Sequence, residues 1–248
     1  MSEFSKAGID RLGKRLRDSE TPDPADVAAY IEWSATFEEP LRITLECVEA
    51  ASEKARVSLN EKTSRIKQLY SIVAKLRRGH PRLSSIDDIA GCRAVVQREN
   101  DVNALVLQLA TAPIKRVRDY RIRDRNGYRA VHLTIADESG RATELQLRTE
   151  IQHVWAGLSE RRAAVVDHAV KYGGGPPEEQ EVLMGLSTAG RVLDLRQAEL
   201  DSRRERGELW PHEPELTDQA LMEEQRALRS EIEQFTGICD WYAGRGRM

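Results

Sequence analysis

Residues 118–155 read RDYRIRDRNGYRAVHLTIADESGRATELQLRTEIQHVW, and the way this stretch pairs with itself decides the fold. From Ala130 to Ile135 the residues alternate: Val131, Leu133 and Ile135 point one way while Ala130, His132 and Thr134 point the other, the period of a half-buried strand. Asp137-Glu138-Ser139-Gly140 has turn composition. Beyond it Leu145 and Leu147 continue an apolar face, and Glu144, Gln146 and Arg148 share the opposite one. A hairpin therefore brings His132 beside Glu144 and Gln146, and that polar face is the candidate site. Glu150 opens a helix whose Ile151, Val154, Trp155 and Leu158 recur at helical spacing and can cover the sheet.

Upstream, Ser85-Ile86-Asp87-Asp88-Ile89-Ala90-Gly91-Cys92-Arg93 followed by Ala94-Val95-Val96 reads as a loop entering a buried strand. Asp88 stands at the strand mouth, where a carboxylate can hold a divalent cation or simply cap a turn. Gly91 permits close backbone approach, and Arg93 can answer a phosphate. Asn100-Asp101 is expected to cap a helix carrying Val102, Leu105, Val106 and Leu109, after which residues 115–122 return as a basic strand.

Residues 57–66 fit a strand leading into a helix over 67–78, with Ile66, Leu69, Tyr70, Val73 and Leu76 on its apolar face. Lys67, Ser71 and Lys75 fall at i, i+4 and i+8, one polar stripe that suits a triphosphate at a helix N-terminus or else is an ordinary solvated face. Residues 25–56 are expected to form a helical cover divided or kinked at Pro40, and residues 1–23 a mobile leader with at most a short helix. Downstream, Lys171-Tyr172-Gly173-Gly174-Gly175-Pro176-Pro177 is expected as a flexible connection, with anion binding by its glycines as the other reading. Two long helices, 178–206 and 216–235, are expected to pack on the core, a partner or a second copy.

Across 248 residues, 40% hydrophobic and 32% charged, the composition suits a globular protein with one core domain and helical additions. No apolar run approaches the ~20 residues of a membrane-spanning helix, and the first twenty residues carry no apolar signal segment, so a cytoplasmic, membrane-free location is expected. Cys47, Cys92 and Cys239 are too scattered for a zinc site or a disulfide framework. The net charge of -3 argues against wholesale nucleic-acid binding. Lys115, Arg116, Arg118, Arg121, Arg123, Arg125 and Arg129 nevertheless crowd one span, which fits a polyphosphate ligand, a local RNA contact or a charged strand edge.

Set side by side, Arg65-Ile66-Lys67 with Ser71 and Lys75, then Asp88-Ile89-Ala90-Gly91-Cys92-Arg93, then Asn126-Gly127-Tyr128-Arg129-Ala130-Val131-His132, then Glu144-Leu145-Gln146-Leu147-Arg148-Thr149 resemble the synthetase domain of the RelA/SpoT family, particularly the small alarmone synthetases. The resemblance implies an α+β fold, a mixed β-sheet nucleotidyltransferase-like domain over residues 57–172 flanked by helices, with helical extensions over 1–56 and 173–248. It implies transfer of the β,γ-pyrophosphate of ATP to a ribose 3′-hydroxyl of GDP or GTP, giving (p)ppGpp. By motif, Arg65, Lys67, Ser71, Lys75 and Arg93 correspond to the ATP-binding set, and Asp88 with Glu144 to the catalytic pair that holds Mg2+. Tyr128 would stack on the acceptor base, with Asn126, His132 and Gln146 around the acceptor nucleotide. No His-Asp metal pair of the hydrolase type is present, so alarmone hydrolysis is not expected.

Two departures qualify the resemblance. Where the family usually has Pro-Lys before Asn-Gly-Tyr, this chain has Arg123-Asp124, with Arg125 available as a substitute for the acceptor's phosphates. Where the family has Glu-His shortly after Trp-Ala, this chain has Ser159-Glu160. Both are reminiscent of the toxic branch of these synthetases, some of which place pyrophosphate on the 3′ end of tRNA and are neutralised by an antitoxin. Transfer to tRNA by a toxin and a non-catalytic nucleotide-sensing or partner-binding module are therefore the alternatives, and a homo-oligomer is expected by resemblance.

Overall fold

The computed structural model describes residues 4–79, 81–122, 126–208 and 217–245. Three helices come first: α1 (Lys6–Asp18), α2 (Pro24–Ala35) and α3 (Glu38–Ala55). Then β1 (Glu61–Ile66), α4 (Leu69–Gly79), β2 (Ala90–Val96), α5 (Glu99–Leu109) and β3 (Ile114–Asp119) lead to the hairpin of β4 (Val131–Ala136) and β5 (Ala142–Thr149). Helices α6 (Glu150–Val165), α7 (Pro177–Glu205) and α8 (Asp218–Arg245) complete the chain.

The five strands form one mixed sheet in the order β1-β2-β5-β4-β3, and this α+β architecture is the fold class expected from the sequence. Only β2 and β5 run parallel; β1 pairs with β2, β4 with β5 and β3 with β4 in antiparallel fashion. The hairpin forms around the 137–140 turn, where the Asp137 carboxylate accepts from the Arg141 backbone N–H at 2.8 Å and Gly140 takes φ +83°, a conformation that glycine adopts at no steric cost. Inserting β5 between β2 and β4 places Gly91 opposite Glu144 and Arg93 opposite Gln146, so the polar residues of both strands fall on one face.

On the other face Cys92, Ala94, Leu133, Leu145 and Leu147 are buried beneath α3 and α5. A second cluster joins Ile151, Trp155 and Leu158 of α6 to Leu183, Leu186 and Leu193 of α7 and Leu221, Leu228 and Ile232 of α8. The long C-terminal helices therefore pack on α6, whose own start is fixed by Thr149 and Gln152 in a reciprocal cap.

Four local expectations change. The N-terminal stretch forms a packed 13-residue helix: Ile9, Leu12 and Leu16 are buried, and a Cβ on Gly13 would sit 2.5 Å from the Leu83 side chain. Polar composition hid an apolar stripe only one residue wide. The break between α2 and α3 falls at Thr36 and Phe37, leaving Pro40 in the first turn of α3, where its missing N–H costs nothing. Helix α5 begins at Glu99, and Asp101 caps it by accepting from the Arg98 N–H at 3.0 Å. The glycine run is not a loose connection: Gly173, at φ +82°, abuts the Asn126 side chain, and Gln180 Nε2 donates to the carbonyls of Val170 and Gly174 at 2.9 and 2.7 Å. No helix among the described residues is long and apolar enough to cross a membrane.

Candidate active site

The exposed side of the sheet carries two cavities. The first, of about 150 Å3, is walled by Arg65, Lys67 and Arg93 from β1 and β2 and the link after β1; the second, of about 540 Å3, is walled by Tyr120, Asn126, Tyr128, His132 and residues of α6. Both are lined by Asp88, Glu144 and Gln146, so the two spaces meet at the two carboxylates that the motifs singled out.

Asp88 lies in the turn before β2 and receives Lys67 Nζ, in a very short contact, and Lys75 Nζ at 2.7 Å. Burial pushes its carboxyl up, but the hydrogen bonds and charges of the two lysines outweigh this and hold it below the ordinary carboxylate value. The expected single stripe on one helix is not what joins these residues. Helix α4 starts at Leu69, and Lys67 precedes it with its N–H donating to Ile89 O at 2.8 Å and its carbonyl accepting from Tyr30 Oη at 2.6 Å. Lys67 and Lys75 converge because both face the same carboxylate. Ser71 lies in the first turn of α4 and lines neither cavity.

Glu144 lies on β5, where the Gln146 side-chain amide donates to its Oε1 at 2.7 Å and His132 Nδ1 lies 3.3 Å from Oε2. Burial raises this carboxyl too; the hydrogen bonds from His132 and Gln146 overcome that, while the Asp88 charge opposes ionisation. The result is a pair of ionised carboxylates, one from the turn before β2 and one from β5, each pinned by its own donors. Two carboxylates without further protein ligands suit Mg2+, which keeps several waters and is completed by substrate phosphates, and no larger metal-holding cluster occurs among the described residues.

Behind Glu144 stands a hydrogen-bonded chain that the sequence reading did not contain. Arg148 is 3% exposed and donates through Nη2 to Tyr128 Oη at 2.6 Å and to Gln146 Oε1 at 2.8 Å. Tyr128 Oη lies 2.6 Å from His132 Nε2. With the hydroxyl accepting from Arg148 and donating to Nε2, the imidazole carries its proton on Nδ1, toward Glu144. The Arg148 guanidinium also lies over the Tyr128 ring at 5.1 Å, and Tyr120 meets that ring edge-on at 5.6 Å. Tyr128, expected to stack on the acceptor base, thus has one face covered by Arg148 and its hydroxyl committed to the proton chain. Alternation sets Arg148 on the strand face of Glu144 and Gln146; its bond to Tyr128 is what the sequence reading did not contain.

Arg93 sits on the site face with Nη1 3.4 Å from His153 Nδ1, while its buried Nε has no protein partner among the described residues. Burial and the nearby Arg148 charge lower its pKa, as expected of a guanidinium awaiting an anion. Asn126 lines the larger cavity in a left-handed conformation, φ 55°. Arg125, with the Arg123-Asp124 departure, lies outside the described residues.

Among the described residues of the basic run, Lys115, Arg116, Arg121 and Arg129 have partners within the protein. Arg116 Nη1 pairs with Asp87 at 2.7 Å, Arg121 with Asp119 at 2.7 Å, and Arg129 with Glu99 at 2.5 Å and Asp194 at 2.9 Å. Lys115 Nζ donates to Gly140 O at 2.8 Å. The second departure, Ser159 and Glu160, lies in the wall of the larger cavity.

The family model described as the region found in RelA / SpoT proteins matches residues 64–172. The uncharacterized protein Rv1366 of Mycobacterium tuberculosis is 29% identical over 213 residues, 79% of this chain and 76% of that protein. The probable chloroplastic GTP diphosphokinase RSH2 of Arabidopsis thaliana is 30% identical over 116 residues, 45% of this chain but only 16% of that protein. Among solved structures, small alarmone synthetase 1 from Bacillus subtilis superposes with a TM-score of 0.58 at 23% identity, covering 72% of this chain and 97% of that one. Residues 64–172 thus match the region found in RelA / SpoT proteins, and the mixed sheet that carries them has the fold of the small alarmone synthetases.

Proposed function

We propose that this protein transfers the β,γ-pyrophosphate of ATP to the ribose 3′-hydroxyl of a guanine nucleotide. One observation carries the reading: a smaller cationic cavity and a larger aromatic one meet at Asp88 and Glu144, the arrangement a group transfer between two bound substrates needs. The family match and the name of the plant relative, a probable GTP diphosphokinase, support the pyrophosphokinase class of reaction.

In this reading the first cavity takes the ATP phosphates. Arg65, Lys67 and Arg93 face it, and Lys75 stands behind Asp88, so positive charge surrounds the phosphorus that is attacked and the AMP that leaves. Asp88 and Glu144 would hold Mg2+, which when bound supplies further charge neutralisation on the transferring group. Glu144, kept ionised by His132 and Gln146, is placed to take the 3′-hydroxyl proton, and the His132-Tyr128-Arg148 chain fixes its orientation. The acceptor occupies the larger cavity. Pairing of Arg116, Arg121 and Arg129 within the protein makes these three less available to a tRNA backbone, which favours a free nucleotide.

The test is direct: incubate the protein with Mg2+ and γ-labelled ATP and offer GDP, GTP or deacylated tRNA. Label is expected on the guanine nucleotides, and Glu144→Gln is expected to lower the rate by roughly 10²- to 10³-fold at unchanged thermal stability. Label on tRNA alone would refute the acceptor, and undiminished transfer by Glu144→Gln would refute the site.

A further inference from the structure

The wall of the larger cavity combines groups of different chemistry. Asp88, Glu144 and Gln146 are shared with the donor cavity, so in the transfer reading the reacting hydroxyl lies beside them and the base is met by other residues of the wall. Of the other residues in or beside its wall, Arg148 is committed to Tyr128 and Gln146, and Ser159 is 6% exposed. The same wall holds an exposed ion pair: Lys171 Nζ meets Glu160 Oε1 at 3.0 Å, with the two side chains 39% and 51% exposed. Glu160 comes from α6 and Lys171 from the short turn His168–Tyr172, so two separate elements deliver an acceptor and a donor side by side.

We propose that Glu160 and Lys171 are the base-reading residues of the acceptor cavity and select guanine, an inference that rests on the transfer reading for the placement of the ribose. Guanine presents two adjacent donors, N1–H and the N2 amine, with the O6 acceptor beside them. A carboxylate answers the two donors and an ammonium answers O6. Adenine presents an N1 lone pair where guanine has a hydrogen, so the same carboxylate repels it. The 3′ terminal nucleotide of tRNA is an adenosine, and the pair therefore disfavours that acceptor as well. An ion pair this exposed contributes little to stability, so letting it re-pair with a base costs little. Burial raises the Glu160 carboxyl, but the charge and hydrogen bond of Lys171, with the charge of Arg148, hold it ionised, as the role requires.

Equilibrium binding of GDP, IDP and ADP to the full chain, with a non-hydrolysable ATP analogue present, tests this beside the labelled-transfer assay. GDP is expected to bind on the order of 10²-fold tighter than ADP, and IDP, lacking the N2 amine, to lose about tenfold against GDP. Glu160→Gln should weaken GDP on the order of 10²-fold, bring ADP to within a few-fold of GDP, and leave the affinity for the ATP analogue unchanged. Lys171→Met should weaken GDP about tenfold. Discrimination of GDP from ADP that survives Glu160→Gln overturns the inference, as does label on ADP or tRNA at a rate matching GDP, and in either case pyrophosphate transfer itself stands. Guanine-selective binding lost in Glu160→Gln, in a protein that moves no label, supports the inference and overturns the transfer reading instead.

Discussion

Asp88→Asn separates nucleotide binding from turnover. In the free protein the Asp88 carboxylate neutralises one of the two ammonium charges it holds, those of Lys67 and Lys75, the latter at 2.7 Å. The amide keeps the shape and removes the charge, so the pair presents about one more positive charge to a triphosphate. At a separation of ~8 Å and an effective dielectric of 20 to 40, one unit charge is worth about 1–2 kcal/mol toward each phosphate charge, or roughly 5- to 30-fold in affinity. With metal chelated by EDTA, the variant is therefore expected to bind ATP ~10-fold tighter than the native protein. With Mg2+ present, turnover should fall by roughly 10²- to 10³-fold, because a carboxylate that would hold the metal is gone. The fold should survive: Lys67 and Lys75 are 18% and 40% exposed, so their loss of a partner is screened and costs less than about 2 kcal/mol. Fluorescence titration with ATP in EDTA, repeated at several salt concentrations, and the label assay in Mg2+ read the two effects. Weaker ATP binding in EDTA, or turnover within threefold of the native protein, would refute the reasoning.

Two further substitutions probe the support of the site. Gly127 has φ +80°, and a Cβ there would lie 2.9 Å from both Trp155 Cζ2 and Ser187 Cβ. Gly127→Ala should cost about 2–4 kcal/mol, lower the melting temperature by roughly 5–15 °C and raise the acceptor KM; Gly157→Ala, where nothing lies within 4 Å, should stabilise by up to ~1 kcal/mol as the control. Equal melting temperatures for the two variants would remove the packing argument. Burial pushes the Asp194 carboxyl up to about 7, against the Arg129 charge that it shares with Glu99. A raised folded value means the folded state holds the proton longer, so this group's contribution is fully present below the unfolded value near 4 and is lost as pH rises through about 7, by at most ~4 kcal/mol. Asp194→Asn should flatten that fall in urea unfolding measured from pH 4 to 8; an unchanged slope would count against it.

The alternation in residues 130–135 and 144–148 was enough to place the hairpin and its polar face. A strand has period two, so once Leu133 and Leu145 are buried, His132, Glu144, Gln146 and Arg148 have no other side to occupy. The motif order marked Asp88 and Arg93 in the same way, one just before and one within a strand whose apolar run identifies it. What needed the tertiary structure was every pairing between distant segments. Setting β5 parallel to β2 brings Asp88 to Glu144; the convergence of Lys67 and Lys75 on one carboxylate and the pairing of Arg116 with Asp87 and of Arg129 with Glu99 and Asp194 are likewise long-range. The commitment of the Tyr128 hydroxyl to Arg148 and His132, and the pairing of Glu160 with Lys171 in a cavity wall, also appear only once the sheet is laid and α6 is packed on it. Side-chain periodicity reports which face a residue takes, because that is a property of its own backbone. Which charge it meets is a property of another segment's path through space, and local sequence carries no record of it.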